Sequence, residues 1–400
     1  MTSSWRVLML VFNMVGKGTY WRAFHLARHL AQRGHCVTLV AMSRQHRLAF
    51  TTSDKEGVRL VEAPDMLWGI LRSGWDVWES AARILWLHGQ PFDLVHAFES
   101  RPTVLLPALY LKHVRHIPLI MDWGDWFGRG GAVEERPNAL WRAVLRPVET
   151  ILEERFRKHA DGTLVICEAL YRRAVKLGVP PETILKLRDG ADVDSLHPLD
   201  ALASRRTLGL PNDILLIGYM GAIFRRDAQL MAQAFDLIHA AQPRSRLLLI
   251  GYVNAPIEQM VKAPGAVIRT GELDYVQLNT YLAACDICWL PYCNSGANQG
   301  RWPLKLNDYM AAGRPTVATA VGDVAEVMQK YEIGFLTEDT ADALASSVLA
   351  LLAIPELRAR FGCNARQVAE QTFAWHLRAA ELETLYARVL KAYCSKELAP

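Results

Sequence analysis

Two cations stand at the start of the predicted helix in residues 301–315, RWPLKLNDYMAAGRP. Pro303 is typical of a helix start, and Gly313 and Pro315 are typical of a helix end. Lys305 therefore falls in the first turn, with Arg301 just before the helix. The helix dipole disfavours cations at that end. An anion bound there would offset both charges. A solvated ion pair between Lys305 and Asp308, three residues apart on the outer side of the helix, explains the sequence equally well.

A second basic segment follows a predicted strand in the same half of the chain. It begins at Gly221 and contains the adjacent arginines Arg225 and Arg226. Two guanidinium groups above the carboxyl edge of a sheet could hold a diphosphate through paired hydrogen bonds. The alternative is a solvated surface pair. Because this segment and residues 301–305 are predicted at one sheet edge, together they favour an anion site.

Acids and one histidine end two predicted strands in the first half of the chain. His96 and Glu99 close one strand, and Asp122 and Asp125 close the next, within the stretch MDWGDWFGRGG. That stretch is too rich in tryptophan and glycine for a plain turn, so we predict a pocket wall that carries a general base. For His96, a hydrogen-bonded place in the core is an equally good interpretation.

Two glycines follow the first predicted strand. Gly16 and Gly18 would let a phosphate approach backbone N–H groups at a helix start. Trp21 stands where a dinucleotide fingerprint needs a third glycine, and no acid ends the second strand, which argues against a nicotinamide enzyme. The acids of Asp192-Val193-Asp194 lie in a turn-rich segment where aspartate is routine, so no metal site is predicted.

Short apolar runs alternate with helical patterns along the whole chain, which is typical of parallel sheets covered by helices. The series restarts after residue 195, so we predict an α/β protein with two doubly wound, Rossmann-like domains that face a ligand cleft. The domains are predicted at 1–190 and 191–372, with a C-terminal helix at 373–400 that packs back on the first domain. The predicted strands are 7–12, 37–42, 93–98, 118–123, 163–168, 215–221, 246–251, 266–271, 286–291 and 315–320.

Residues 66–89 carry large apolar side chains every three or four positions, among them Trp68, Trp75, Trp78 and Leu85. This spacing predicts a helix whose apolar face is buried against the sheet. The alternative is a tryptophan-bearing face that rests in a membrane interface, with nearby cations on lipid headgroups.

The bulk composition is that of an ordinary globular protein. Of the 400 residues, 51% are hydrophobic, and the net charge of +4 suits an anionic ligand or membrane surface but is too small to indicate nucleic acid. Seven cysteines fit no disulfide pattern, and Cys36, Cys285, Cys288 and Cys293 are predicted as buried thiols without metal. No apolar run reaches about 18 residues, so we predict a cytoplasmic protein.

Four stretches together resemble a known family. They are LARHLAQRGHCVTLV at 26–40, RDGADVDSLHP at 188–198, PLKLNDYMAAGRP at 303–315 and GRPTVATAVGDVAEVM at 313–328. These resemble the first helix and second strand, the linker, the donor-binding helix and a later acid-bearing segment of the family 4 glycosyltransferases, which are retaining enzymes of the GT-B fold. The resemblance covers nearly the whole chain.

The resemblance implies roles for particular residues. The donor-binding helix would direct its N-terminus at the diphosphate of a nucleotide sugar and Asp308 at the ribose, in place of the usual glutamate. Gly300 stands where the family tends to carry another glutamate, and Gly124-Asp125 stands where it has a His-Asp pair. From the residues and the resemblance together, the predicted catalytic residues are His96, Asp122, Asp125, Arg225 and Lys305. The predicted donor-binding residues are Gly16, Gly18, Gly221, Arg226, Gly271, Leu273, Arg301, Asp308 and Glu326.

The resemblance therefore predicts a retaining hexosyltransferase that needs neither metal nor cofactor. Its donor would be a UDP- or GDP-sugar, and its acceptor a glycan or lipid-linked glycan of surface polysaccharide biosynthesis. The protein is predicted in the cytoplasm, where it could also contact the inner face of an anionic membrane peripherally. The alternatives are a nucleotide-sugar epimerase of the same fold and a nucleotide-sugar-binding protein without catalysis.

Overall fold

The computed structural model describes residues 4–397 and divides them into two compact units. The first unit contains the chain up to Asp189 together with the segment from Trp375 onward, and the second unit is Gly190–Ala374. Each unit is built around its own parallel sheet, so each has its own hydrophobic core.

The first sheet has eight strands in the order β3-β4-β2-β1-β5-β6-β7-β8, and β3 alone runs antiparallel to its neighbour. Its strands are β1 (Arg6–Met14), β2 (Cys36–Met42), β3 (Thr51–Lys55), β4 (Val58–Ala63), β5 (Leu94–Phe98), β6 (Leu119–Trp123), β7 (Gly162–Val165) and β8 (Ile184–Lys186). The sequence did not predict β3, β4 or β8. β3 is a polar edge strand and β8 has three residues, so neither carries an apolar run.

The second sheet has six parallel strands in the order β11-β10-β9-β12-β13-β14. Its strands are β9 (Leu215–Met220), β10 (Ser245–Ile250), β11 (Val267–Arg269), β12 (Ile287–Leu290), β13 (Thr316–Thr319) and β14 (Gly334–Thr337). The sequence predicted all but β14, whose residues Gly334–Leu336 are only half-buried at the sheet edge.

Fourteen helices of the described residues connect and cover these strands. They are α1 (Tyr20–Gln32), α2 (Val77–Leu87), α3 (Pro102–His113), α4 (Ala139–Arg155), α5 (Glu168–Lys176), α6 (Ala201–Thr207), α7 (Arg225–Ala241), α8 (Tyr275–Ala284), α9 (Gly296–Gln299), α10 (Leu304–Ala311), α11 (Asp323–Tyr331), α12 (Ala341–Leu352), α13 (Pro355–Val368) and α14 (Trp375–Glu397). None of them combines the length and the apolar character that crossing a bilayer requires.

The last helix, α14, packs on α1 within the first unit. Trp375 stacks on the ring of His25 with a centroid distance of 5.0 Å. Glu383 accepts hydrogen bonds from Arg33 at 2.6 Å and from the His35 ring at 3.1 Å. These stacked rings and partly buried charges fix α14 to the sheet of the first unit.

The segment 66–89 differs from its predicted form. Only Val77–Leu87 is helical beyond a short 3₁₀ turn, because Asp76 accepts from the backbone N–H of Trp78 and starts the helix there. The predicted apolar face is not buried: Trp68 and Leu85 are each 73% exposed and Trp78 is 53% exposed. The buried side of α2 includes instead an ion pair between Glu79 and Arg83.

The thiols are also less uniform than predicted. Cys285 is buried just before β12 and Cys288 is buried within it, as expected for small apolar side chains. Cys36 is exposed at the start of β2, and Cys293 is half-buried after β12. The prediction of burial was therefore wrong for Cys36 and only partly right for Cys293, because both stand at the ends of apolar runs.

Candidate active site

In the second unit, the first turn of α10 contacts the turn that follows β9. The Lys305 ammonium group donates hydrogen bonds to the Tyr219 hydroxyl at 2.6 Å and to the Ala222 carbonyl at 3.0 Å. One turn later, the Tyr309 hydroxyl accepts from the backbone N–H of Met220 at 3.0 Å. The two basic segments that the sequence singled out are therefore joined by direct contacts at the carboxyl end of β9.

Lys305 is poorly compensated as a cation. Burial lowers its pKa well below the ordinary value, and the charge of Arg301 lowers it further, while Asp227 and Asp308 raise it in part. The solvated Lys305–Asp308 pair that the sequence allowed is not present, because Asp308 is only 7% exposed and Lys305 is bonded to Tyr219 and Ala222. An ammonium group held in this way is stabilised by an incoming anion.

Arg301 lies between two aromatic rings just before α10. Its guanidinium carbon is 4.6 Å from the Phe224 ring centroid and 4.5 Å from that of Tyr292. The Asn298 amide oxygen accepts one of its N–H groups, and an Asp227 carboxyl oxygen lies 3.6 Å away. The planar cation is thus held in one orientation, which a flexible surface arginine would not be.

Arg225 and Arg226 are the first two residues of α7, so the second basic segment is helical from Arg225 onward. Both side chains are exposed and, within the described chain, neither forms an ion pair or hydrogen bond with another side chain. The next residue, Asp227, points inward and accepts from the backbone N–H of Cys293 at 2.8 Å and from Asn298 at 3.0 Å. The N-terminus of α7 thus presents two cations outward while its acid is buried.

The other predicted donor-binding residues of this unit follow strands of the same sheet. Gly221 follows β9, and Gly271 and Leu273 lie between β11 and α8, with Gly271 bridged to Gly251 after β10. Glu326 is exposed in the first turn of α11. Since the strands are parallel, these positions share the carboxyl edge where ligands bind in doubly wound sheets.

Gly322, which precedes α11, makes a close backbone approach to α9. Its φ is +58°, and a β-carbon added there would lie 3.3 Å from the Gln299 α-carbon. Only glycine fits both the conformation and the contact without strain. The start of α11 is therefore held next to Gln299, which immediately precedes Gly300 and Arg301.

In the first unit, Arg22 organises a buried cluster of charges. It donates to Asp122 at 2.8 Å, to Asp189 at 2.8 Å and to the Leu187 carbonyl at 2.9 Å. Burial alone would raise the pKa of Asp122, but the charge of Arg22, together with the neighbouring His96 ring, outweighs it and holds the pKa at about 2. Asp122 is therefore ionised and enclosed, which suits a carboxylate that holds the end of β6 in place.

His96 lies in the core of the first unit. Its Nδ1 is 2.7 Å from the Tyr386 hydroxyl of α14, and its Nε2 is 3.5 Å from an oxygen of Asp122. Burial lowers the pKa of this fully enclosed ring, which also stacks on Phe98. Of the two interpretations that the sequence left open, the geometry favours the hydrogen-bonded core histidine.

Asp125 is the half-buried member of the predicted catalytic residues of the first unit, and Glu99 holds its backbone. Glu99 has a φ of +68°, unusual for a residue with a side chain, and its Oε1 accepts from the backbone N–H groups of Gly124 at 2.8 Å and Asp125 at 3.0 Å. Burial and the charge of Asp125 raise the pKa of Glu99 well above its ordinary value. The sequence placed Glu99 at a strand end but did not predict that its side chain fixes the neighbouring loop.

The glycines after β1 adopt left-handed conformations, with φ of +80° at Gly16 and +56° at Gly18. A β-carbon at Gly18 would lie 2.7 Å from the Asn13 side chain, whose oxygen accepts from the backbone N–H of Thr19 at 3.1 Å. The Trp21 indole N–H donates to the Gly16 carbonyl at 3.0 Å. Trp21, which replaces the third glycine of a dinucleotide site, thus closes this loop with its own side chain.

Within residues 4–397, no three His, Cys, Asp or Glu side chains are grouped as metal ligands would be. Asp192 is buried and accepts from the Tyr275 hydroxyl at 3.3 Å and from the backbone N–H of Ser195 at 3.3 Å. The bond from Ser195 is typical of a turn-forming aspartate, and the bond from Tyr275 ties this turn to α8.

Two models of known protein families match this chain. "Glycosyltransferase Family 4" matches residues 17–195, and "Glycosyl transferases group 1" matches residues 211–353. A curated relative, D-inositol 3-phosphate glycosyltransferase 2 of Catenulispora acidiphila, is 26% identical over 231 residues, which are 54% of this chain and 52% of the relative. The chain thus spans about half the length of the curated relatives it matches.

Solved structures share the fold across nearly the whole chain. Sucrose-phosphate synthase from Thermosynechococcus elongatus has a TM-score of 0.75 at 18% identity, covering 97% of this chain and 100% of that one. HepE of Anabaena, solved with UDP and glucose, has a TM-score of 0.68 at 17% identity, covering 96% and 100%. These likenesses confirm the predicted α/β fold with two Rossmann-like domains.

Proposed function

The chain belongs to the family 4 glycosyltransferases of the GT-B fold, and on that premise we propose that it transfers a hexose from a nucleoside-diphosphate sugar with retention of anomeric configuration. The proposed acceptor is a glycan or lipid-linked glycan of surface polysaccharide biosynthesis. HepE was solved with UDP and glucose, so a UDP-sugar is the first donor to test. We expect the donor site to face the cytoplasmic nucleotide pool.

One observation carries the proposal: Lys305 at the start of α10 contacts the turn that leads into α7. Two helix N-termini with cations therefore lie at one sheet edge, one with Lys305 and the other with Arg225 and Arg226. Helix N–H groups and cations that converge in this way form a binding site for a diphosphate. We propose that Asp308, one turn into α10, accepts hydrogen bonds from the ribose.

The proposed mechanism follows from where charge develops. Breaking the bond between the anomeric carbon and the phosphate oxygen leaves a nucleoside diphosphate whose negative charge grows in the transition state. Lys305, Arg225 and the N–H groups of α10 would stabilise that charge, together by several kcal/mol. The acceptor hydroxyl attacks from the face that the phosphate leaves, and the departing phosphate oxygen takes its proton. Because side chains supply the positive charge, we propose that no metal is required.

In the first unit, we propose Asp125 as the acid that contacts the acceptor. It is the half-exposed member of the predicted set, whereas His96 and Asp122 are enclosed and bonded to Tyr386 and Arg22. Their proposed part in catalysis is to hold the carboxyl ends of β5 and β6, from which the loop with Asp125 leaves.

The test is calorimetric titration of the purified protein with UDP, GDP, ADP, CMP and NAD in the presence of EDTA. We expect one nucleoside diphosphate to bind, and Lys305→Ala and Asp308→Asn to weaken that binding by about tenfold or more. Lys262→Ala is the matched control, because it removes an exposed lysine of the same unit that lies outside the site. Equal binding by Lys305→Ala and Lys262→Ala would refute the proposed donor site.

The same protein distinguishes the two alternative functions. A nucleotide-sugar epimerase would convert the donor without any acceptor, which proton NMR of the donor sugar would detect. A binding protein without catalysis would bind the nucleotide with the same dependence on Lys305 but release no nucleoside diphosphate with any acceptor or with water. Release of the nucleoside diphosphate that depends on the acceptor would exclude both alternatives.

A further inference from the structure

A stripe of exposed apolar side chains runs along α4 in the first unit. Leu140, Trp141, Val144, Val148 and Ile151 are each between 39% and 74% exposed. Their spacing puts them on one side of the helix, along about 16 Å of its axis. Single exposed apolar residues are common on protein surfaces, but five on one side of a helix form a contiguous patch of the kind that contacts a protein partner or a membrane. We call these five residues the α4 stripe.

The opposite side of α4 is held firmly against the first unit. Glu149 accepts from Arg101 at 2.7 Å, and both side chains are buried. Glu153 accepts from the Trp123 indole N–H at 2.7 Å and from the backbone N–H groups of Phe127 and Gly128 at 2.8 Å. These bonds orient the helix, so the α4 stripe faces outward as a fixed surface of the folded unit.

The border of the α4 stripe is cationic. Within the described chain, the exposed arginines Arg129 and Arg155 have no carboxylate partner, and Arg155 follows Ile151 by one helical turn. The backbone N–H of Arg129 donates to the Thr150 hydroxyl of α4, which keeps this arginine beside the helix. The acids of α4 are turned inward or paired, since Glu154 bonds to Arg173.

We propose that the α4 stripe docks this protein on an anionic lipid bilayer. The five apolar side chains would enter the acyl boundary while the arginines contact lipid phosphates. A second copy is disfavoured as the occupant, because a twofold dimer would bring two identical cationic borders together. The proposal does not rest on the transferase activity, and its test uses no nucleotide.

The proposal places the contact on α4 and not on residues 66–89, where the sequence suggested it. The exposed apolar residues of α2, Val77, Trp78 and Leu85, have no exposed cation of α2 beside them, because its one arginine, Arg83, is fully buried. Trp68 is covered on one face by Arg47, at 3.8 Å from the ring centroid. Leu85→Asp therefore distinguishes the two surfaces.

The experiment is co-sedimentation with vesicles of phosphatidylglycerol and phosphatidylcholine in equal parts, at low and high salt. We expect the wild-type protein to bind these vesicles, to bind pure phosphatidylcholine vesicles weakly, and to dissociate at high salt. The double variant Val144→Asp/Ile151→Asp should bind at least about tenfold more weakly, because it puts carboxylates at the centre of the α4 stripe. Val114→Asp, at an equally exposed valine after α3, and Leu85→Asp should bind as the wild type does.

Circular dichroism and thermal unfolding of each variant separate lost binding from lost folding, and exposed positions should change the unfolding temperature little. The proposal is overturned if the wild-type protein ignores anionic vesicles or if the double variant binds them as well as Val114→Asp does. It is also overturned if analytical ultracentrifugation shows a dimer that the double variant abolishes, since the stripe would then be a contact between copies.

Discussion

Replacing Lys305 by methionine should stabilise the free protein and weaken its binding of nucleoside diphosphate. Burial and Arg301 lower the pKa of Lys305 well below its ordinary value, so the folded state holds the charged amine less favourably than the unfolded chain does. Each unit of that difference corresponds to about 1.4 kcal/mol. Methionine removes the charge at similar length but loses the bonds to Tyr219 and Ala222. Because each lost hydrogen bond costs only about 0.5–1.5 kcal/mol, we expect a higher unfolding temperature for the variant at neutral pH.

The pH dependence follows from the sign of the shift. A lysine whose folded pKa is lowered destabilises the folded state fully at pH values below that pKa. The penalty is relieved as the pH rises from the folded pKa towards the unfolded value of about 10.4. The stability advantage of Lys305→Met should therefore shrink as the pH is raised, and differential scanning calorimetry across this range would follow it.

Binding should change in the opposite direction. A diphosphate placed at Lys305 raises its pKa, so binding takes up protons at pH values above the free pKa, and calorimetry in buffers of different ionisation enthalpy would detect this uptake. Lys305→Met should lose the proton uptake and bind about 10- to 100-fold more weakly, the worth of a charge-assisted hydrogen bond. Lys262→Met is the control. Unchanged affinity, or an unfolding temperature several degrees lower in Lys305→Met, would refute the reasoning.

Three further predictions concern positions that hold the two sites in place. Asp122 contributes about 2 kcal/mol to the free energy of unfolding at neutral pH through its lowered pKa of about 2, and this stability is lost as the pH falls from about 4 to about 2. The stability of Asp122→Asn should therefore depend less on pH in this range. Because the substitution removes the charge that pairs with Arg22, it should cost about 3 kcal/mol at neutral pH. Glu99→Gln should unfold at the wild-type urea midpoint, because a protonated Glu99 and a glutamine accept the same two N–H bonds. Glu99→Ala should lower the free energy of unfolding by about 1–3 kcal/mol. An equal loss in both variants would contradict the protonated state of Glu99. Gly322→Ala should cost about 1–2 kcal/mol in the same assay, and a neutral result would show that the contact with Gln299 relaxes freely.

The sequence predicts those parts of the fold that produce continuous apolar runs. Every strand that is buried on both faces of its sheet, such as β1 or β10, stands out because parallel strands have no polar side. The exposed edge strand β3 is missed because its residues are polar or half-buried. For residues 66–89, the sequence predicted a buried apolar face that the structure shows to be exposed. Helical spacing of tryptophans predicts which side chains share a face, but not whether that face is covered.

In the candidate site too, the sequence predicted the residues that local patterns reveal and missed those that depend on tertiary contacts. Lys305 was found because a cation in the first turn of a predicted helix conflicts with the dipole. Arg225 was found because two adjacent arginines follow a predicted strand. Both signals are local in the sequence. The role of Glu99 could not be found in this way, since it depends on a left-handed backbone at the end of β5 and on amides that lie 25 and 26 residues away. The α4 stripe was missed because burial on one side and exposure on the other are decided by packing.

The helices of the second unit differ in the charges that their first turns carry. α11 and α12 each carry an acid in the first turn and no cation there, as the dipole favours. In α13, Arg358 shares the first turn with the acid Glu356. α10 has no acid in its first turn but has Lys305, and α7 begins with two arginines while its acid is buried in bonds to Cys293 and Asn298. The two helices with a cation at their first or second position, α7 and α10, are the two that Lys305 joins. Because local stability opposes this arrangement, a ligand that supplies the missing negative charge is the simplest reason for it.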